Sequence, residues 1–468
     1  MAEQLVTVND EGRGIPRLSL LSKVGYGLGD LASNLSWIFI GSYFVIFLTD
    51  VAGIEAAIVS VMLLATKVWD GVNDPIVGAI EEQTKSRFGR FRPWILYCSP
   101  LLAIVNILCF TAPFSGAVAK VIWGCIGYIL IDTFYGMVNL AYGALSTVMT
   151  YDPKERTELS AWRMIGQNVG SVILSLISMP LILFFSGGEK PIARGYTITT
   201  AIYAIAAIPM FLILFFNSRE AVKPVEERKV PIKETIRVVL TNKPLVYIFF
   251  MSLFYMTGFI ARLGIVVYYY IYILKRFDLI GPLMMLPHLF AAGTMFFSKS
   301  FIDRIGKKRS IAIGCIVIPA VLFLIFLIDP TASTTLLFIF TALYGIALGL
   351  LQPTVMARVP DAIDYMEDKT GVRADGTSYT AISLSTKIAA AIGVSIGLAI
   401  MGAFGYAANM DQSAKSIQGI NIAANLFPAA CFLLTLIPLV LYKLTPERNA
   451  EIRERLQKKV AAKIDGSL

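Results

Sequence analysis

The sequence predicts an all-α membrane protein, with twelve transmembrane helices in two pseudo-symmetric six-helix bundles. Three observations carry that expectation. The 468 residues are 56% hydrophobic and only 16% charged, with a mean hydropathy of +0.69, whereas a soluble domain carries about a quarter charged residues. Apolar runs such as Tyr196–Phe216 and Ile311–Ile328 approach or reach the ~20 residues that span a hydrocarbon core. Short basic turns around a glycine recur at equivalent places in the two halves of the chain.

Taken in order, a polar N-terminal tail (1–19) leads into twelve apolar segments. They fall at roughly 20–48, 57–80, 93–112, 118–149, 160–186, 196–217, 243–274, 279–301, 309–328, 333–357, 376–405 and 418–442, and a polar tail (443–468) follows. Met1–Arg17 lacks the apolar core and small residues of a cleavable signal, so the first segment is expected to stay and direct insertion. Lys and Arg crowd the termini and the loops after even-numbered segments. Lys120, Lys190, Arg194, Lys275, Arg276 and Lys415 stand in or beside the opposite loops, and Lys67, Arg163, Arg262 and Lys387 lie inside segments.

This bias places both termini in the cytoplasm of a plasma (inner) membrane protein. It also accounts for the net charge of +9 through anionic lipid headgroups rather than nucleic acid. Cys98, Cys109, Cys125, Cys315 and Cys431 are scattered through apolar segments and His288 is the only histidine. Neither a disulfide framework nor a His-based metal cluster is expected, and no cofactor.

The longest polar stretch, 218–242, reads as a cytoplasmic loop joining bundles at 20–217 and 243–442. After segment two comes Arg87-Phe-Gly-Arg-Phe-Arg92, and after segment eight Arg304-Ile-Gly-Lys-Lys-Arg309. Any cytoplasmic loop gathers basic residues, but matched position and glycine spacing favour a repeated six-helix half. Carriers built this way place substrate between the halves near the midplane.

Ionisable residues within a span are functional candidates by default. Segment two carries Lys67-Val-Trp-Asp70-Gly-Val-Asn73-Asp74-Pro75. Lys67, Asp70 and Asp74 share one helical face with Asn73 on its flank. Two carboxylates and an amide oxygen suit Na⁺, or one carboxylate can hold a transferable proton; no metal beyond a Na⁺ at Asp70 and Asp74 is expected. An internal salt bridge to Lys67 is the bland alternative. Lys387 lies about 16 Å into segment eleven at 1.5 Å per residue, far for a snorkelling lysine, with Tyr379, Ser383 and Thr386 on its face. It is expected, with Lys67, to balance the acids.

Segment one presents Tyr26, Asp30, Asn34 and Trp37 at helical spacing, and segment four Asp132, Tyr135, Asn139 and Tyr142. Aromatic rings beside hydrogen-bonding side chains suit a sugar, which offers an apolar face to stack and hydroxyls to bond. Asn34, Trp37, Asn139 and Tyr142 are the substrate candidates, joined by Arg163 at the start of segment five and by Ser383 and Thr386; Asp30 reads as structural. Arg262, beside Tyr268–Tyr270, is a weaker one.

Gly25-Tyr-Gly-Leu-Gly-Asp30, Trp69-Asp-Gly-Val-Asn-Asp-Pro75, Arg87-Phe-Gly-Arg-Phe-Arg-Pro-Trp94 and Asp364-Tyr-x3-Lys-Thr-Gly-x-Arg373 resemble the glycoside–pentoside–hexuronide:cation symporters of the major facilitator superfamily. The resemblance implies symport of a small sugar or glycoside with Na⁺ or H⁺ by a monomer in the lipid bilayer. It implies a cation site at Asp70, Asn73 and Asp74, with Gly136 where the melibiose carrier has a threonine ligand. Lys387 and Arg163 match a lysine and an arginine of that carrier. Asn34 and Asn139 stand where it has two sugar-gripping carboxylates, and Gly143 where it has a stacking tryptophan. The sugar site is therefore expected to be rebuilt.

A cytoplasmic latch between the halves is expected from Arg87, Arg90, Arg304 and Lys307 with Asp152, Arg156, Asp361, Asp364 and Arg373. Two other readings stay open, a lysolipid or amphiphile carrier on the same fold and a membrane sensor. An enzyme lacks any catalytic constellation.

Overall fold

The computed structural model describes residues 18–150, 152–188, 190–220, 241–370 and 375–464. Helix α1, Leu20–Phe39, continues through two π turns, Ile40–Phe44 and Phe47–Val51. Helices α2 (Ala56–Gln83), α3 (Arg92–Cys109), α4 (Ala117–Met149), α5 (Pro153–Ser186) and α6 (Ala193–Asn217) complete the first group. The second holds α7 (Lys243–Tyr268, then a π turn Tyr269–Leu274), α8 (Ile280–Ile305), α9 (Lys307–Leu327), α10 (Thr334–Met356), the short α11 (Val359–Thr370) and α12 (Asp375–Ala403). Its last span, α13, runs through Ala414–Asn421, Ile422–Leu426, Phe427–Leu434 and Leu436–Leu441, and α14 (Pro446–Ile464) follows.

Eleven helices of the described residues are long and apolar enough to cross a membrane by length and composition. The twelfth is α1, whose spacing of glycine and polar residues between Gly25 and Ser36 lowers its hydropathy. Local chemistry sets the boundaries. Ser19 caps α1 by accepting the Ser22 N–H at 3.1 Å. Asp152 caps α5 by accepting the Lys154 N–H at 2.8 Å, ahead of Pro153 at the first helical position. That cap starts α5 earlier than the expected 160, so Arg163 lies three turns inside the helix rather than at its start.

Helices α1–α6 pack among themselves, as do α7–α13; across the seam α2 meets α12 and α5 meets α8. The seam is tightest toward one end. A Cβ at Gly281 of α8 would stand 2.4 Å from the Leu176 carbonyl oxygen of α5, so only glycine allows this approach. At the same end Ser60 of α2 donates to the Ser395 carbonyl of α12 at 2.8 Å. Asp50, in the second π turn of α1, accepts hydroxyl protons from Tyr272 at 2.5 Å and from Tyr406. Asn409 donates to its backbone carbonyl, and Thr49 pairs with the Tyr268 hydroxyl at 2.7 Å.

The opposite end carries the described chain termini and the basic turns. Each ion pair described there joins residues of one half: Lys23 with Glu158 at 2.5 Å, Lys307 with Asp361 at 2.7 Å, and Arg453 with Asp361 and Asp364 at 2.8 and 3.3 Å. The protein is thus closed across the halves at the Asp50 end.

Candidate cation and substrate site

One face of α4 organises the interior. Asp132, Gly136, Asn139 and Gly143 follow at spacings of three and four and so point the same way. Lys67 reaches Asp132 at 2.9 Å. A Cβ at Gly136 would stand 3.2 Å from Asp74 Oδ1 and 3.7 Å from Asn73 Nδ2, and one at Gly143 would stand 4.0 Å from Arg163 Nη1. Seven residues separate the two glycines, about 10 Å at 1.5 Å per residue. An acidic cluster and a guanidinium therefore lie along one helix face with Asn139 between them.

The acidic cluster draws on α2, α4 and α12. Lys67 also approaches Asp70 at 3.6 Å, while Lys387 comes within 3.7 Å of the other Asp70 oxygen and binds Asp74 directly. Lys67 and Asp132 are nearly closed off from solvent, their side chains 6% and 7% exposed, and Lys67 sits 5.0 Å over the Tyr128 ring. Asp74 Oδ1 and Asn73 Nδ2 are buried with no hydrogen-bond partner among the described residues. A buried polar atom without a partner calls for one. An amide can be turned to present oxygen instead of nitrogen, and a small cation beside Asp74 and Asn73 would then meet oxygen donors. Gly136 leaves room there but offers no hydroxyl.

On the other side of Asn139, Arg163 Nε lies 3.0 Å from Asp30, and 39% of its side chain is exposed. Asn34 donates to the Asp30 carboxylate at 3.0 Å and to the Asp30 carbonyl at 2.8 Å, so its own carbonyl oxygen faces outward from that bond pair. Asp30 is the hub of the two sequence candidates. Trp37 is 40% exposed and stacks on Tyr135 at 5.3 Å between ring centres. Across the seam Ser383 is exposed and Thr386 half-buried, one turn before and beside Lys387.

Tyr142 does not join them. Its ring is fully buried and stacks on Tyr26 at 4.6 Å, and each hydroxyl donates to the other residue's carbonyl. It ties α1 to α4 and serves as a floor under Arg163, whose guanidinium lies 5.1 Å over the ring.

Among the described residues, the ion pairs at the end opposite Asp50 do not form the expected latch between halves. Arg87 lies over Phe88, Arg304 is exposed, and Arg156 donates to the Thr150 and Thr147 carbonyls. Asp152 caps α5, and Lys307, Asp361 and Asp364 pair within the second half; Arg373 lies outside the described residues. The first basic turn has a different partner: Glu220 accepts the backbone N–H groups of Arg90, Phe91 and Arg92 at 2.8, 2.8 and 3.1 Å. Gly89 makes this nest possible, with φ of +105° and a would-be Cβ 2.4 Å from the Glu220 carboxyl carbon.

Sequence reasoning left Asp132, Asp50, Glu220 and Arg453 without roles. Asp132 carried a signal, an acid inside an apolar segment, but its partner sits on another helix. Asp50 falls just past the expected end of segment one, and Glu220 and Arg453 fall in stretches read as loop and tail.

A family model described as MFS/sugar transport protein matches residues 25–446. The isoprimeverose transporter of Lactiplantibacillus pentosus is 30% identical over 437 residues, covering 92% of this chain and 91% of that protein. A putative glycoside/cation symporter of Escherichia coli (strain K12) is 28% identical over 452 residues, 95% of this chain and 96% of its own length. The crystal structure of the nucleoside transporter NupG aligns with a TM-score of 0.61 over 91% of this chain and 100% of that one, at 13% identity, a likeness of fold.

Proposed function

The chain belongs to the glycoside–pentoside–hexuronide:cation symporters of the major facilitator superfamily, and from that premise we propose that it imports a neutral sugar or glycoside with one monovalent cation, Na⁺ or H⁺. It is a multi-pass membrane transporter and not an enzyme. The bundles 20–217 and 243–442 would rock about the site, with both termini in the cytoplasm of the plasma membrane. The Asp50 end is then extracytoplasmic and the state described here faces inward.

The observation that carries this reading is the Lys387 ion pair. Among the described ion pairs, those of Lys387 with Asp70 and Asp74 are the ones that join the halves. A cation arriving at the free Asp74 oxygen competes with Lys387 for the charge of the same carboxylate, so its binding would weaken the link between halves. That is the differential contact that coupling requires. The related glycoside/cation symporter supports a cation as partner. A neutral sugar suits the Arg163 side best, because Asp30 already balances the guanidinium and Asn34 and Asn139 carry no charge. Arg163, Asn34 and Asn139 supply hydrogen bonds, Trp37 a stacking face, and Ser383 and Thr386 the closing side from α12.

The test is uptake of labelled pentosides, glycosides and hexuronides by vesicles holding the purified protein, with Na⁺ and proton gradients imposed separately. Accumulation of a neutral sugar under one gradient is expected. Accumulation of the hexuronide alone, or uptake indifferent to both gradients, would refute the reading.

A further inference from the structure

The partly buried cluster holds two ammonium groups, Lys67 and Lys387, against three carboxylates, Asp70, Asp74 and Asp132. One negative charge is in excess, which one monovalent cation would cancel. The excess is not shared evenly. Lys67 is 2.9 Å from Asp132 and 3.6 Å from Asp70, and Lys387 binds Asp74 and stands 3.7 Å from Asp70. Asp70 is thus flanked by two lysines and held closely by neither.

We propose that Asp132 is a positioning residue of the cation site. It draws Lys67 along α4, away from Asp70, and so keeps one carboxylate's charge in the cluster uncompensated for the incoming cation. Without Asp132, Lys67 has Asp70 as its sole acid within reach, the cluster becomes neutral, and the cation loses its electrostatic reason to enter. Asp132 touches neither cation nor sugar in this scheme. It acts through Lys67, which the Tyr128 ring and the walls of α2 and α4 confine to this pair of acids.

The inference rests on the cation site proposed above, and the experiment separates the two. Sugar binding to purified protein is titrated with Na⁺ at fixed pH and, in a second arm, with pH in the absence of Na⁺. Wild-type protein showing no cation dependence in either arm would sink the proposed function itself. Given a wild-type response, Asp132→Asn is expected to weaken the coupling cation by about tenfold or more, as loss of one unit charge in a poorly solvated cluster does. The double variant Lys67→Met with Asp132→Asn restores the single excess charge and is expected to return the affinity to within about threefold of wild type.

Removing both partners also relieves a purely structural pair, so the deciding readout is cation affinity set against cation-free sugar binding and Tm. Damage to a structural pair lowers all three together, whereas the proposal lowers cation affinity alone. Unchanged cation affinity in Asp132→Asn overturns the proposal. So does a double variant as weak as the single one. Should Asp132→Asn fail to fold, Lys67→Met decides instead: it raises the excess negative charge in the cluster from one to two and is expected to tighten the cation about tenfold, and unchanged affinity refutes the proposal.

Discussion

Asp50→Asn should loosen the closed end of the transporter while leaving the sugar and cation residues untouched. Two phenols of the second half, Tyr272 and Tyr406, donate to this one carboxylate of the first half. Hydrogen bonds to a charged acceptor contribute about 1.5–3 kcal/mol each and neutral ones about 1. An asparagine keeps the shape but not the charge, so about 1 kcal/mol is lost per phenol and ~2 kcal/mol in all. That moves the ratio of closed to open molecules about 30-fold. The assay is a distance measurement between spin labels at Glu55 and Met410, both exposed at this end, after replacing the five cysteines. The variant should gain a longer-distance population absent or scarce in the parent. If Asp50→Asn and Asp50→Ala both keep the parent's distance distribution, the Asp50 network does not hold the halves together.

Gly89→Ala should expel Glu220 from its nest, because the backbone there has φ of +105° and the new methyl would collide with the carboxylate. A loss of about 1–3 kcal/mol is expected, read as a lower Tm in detergent, and an unchanged Tm would count against the nest. Arg163→Gln and Asn139→Ala should each weaken sugar binding by about tenfold, since a site built to bond hydroxyls suffers when a partner is removed. Calorimetry with the transported sugar checks this, and Tyr142→Phe, which loses the hydroxyl that donates to the Tyr26 carbonyl, should bind sugar nearly as wild type does. A reporter fused after Leu468 should be active only in its cytoplasmic form, and activity outside would reverse the assigned orientation.

The helices were legible because their signal is local. Apolar length, caps such as Asp152-Pro153 and basic loops are properties of neighbouring residues, and the helix count could be read before any packing was known. Segment two was legible for the same reason, since Lys67, Asp70 and Asp74 share a face at helical spacing. What could not be read is which helix each face meets. Lys67 was expected to serve the segment-two acids, and its nearest acid is Asp132 on α4. Tyr142 has the spacing of a substrate residue but turns onto Tyr26, a matter of helix rotation that periodicity does not fix. The basic turns were matched by sequence, yet one holds Glu220 through backbone N–H groups and the other pairs Lys307 with Asp361. Equivalent position does not dictate equivalent partners.

The arrangement of Asp70 bears on how coupling can be cheap enough to work. Displacing Lys387 from Asp74 would strand a half-buried ammonium if no other acid were near, an unfavourable outcome for a charge partly removed from water. Asp70 stands 3.7 Å away on the same helix, so under the proposed cation site Lys387 could swing to it as a cation took Asp74, and no charge in the cluster would be left bare. That exchange changes the cross-seam link from one acid to another, four residues and roughly 6 Å apart along α2. The shift is small, but it occurs at the point where α2 and α12 meet, and both helices also carry the Ser60–Ser395 contact near the closed end. A change of register at Lys387 therefore bears on a seam that is already clamped at Asp50. The clamp holds the halves together at one end, and under the proposed cation site the lysine exchange would give the cation a means to bias which state follows.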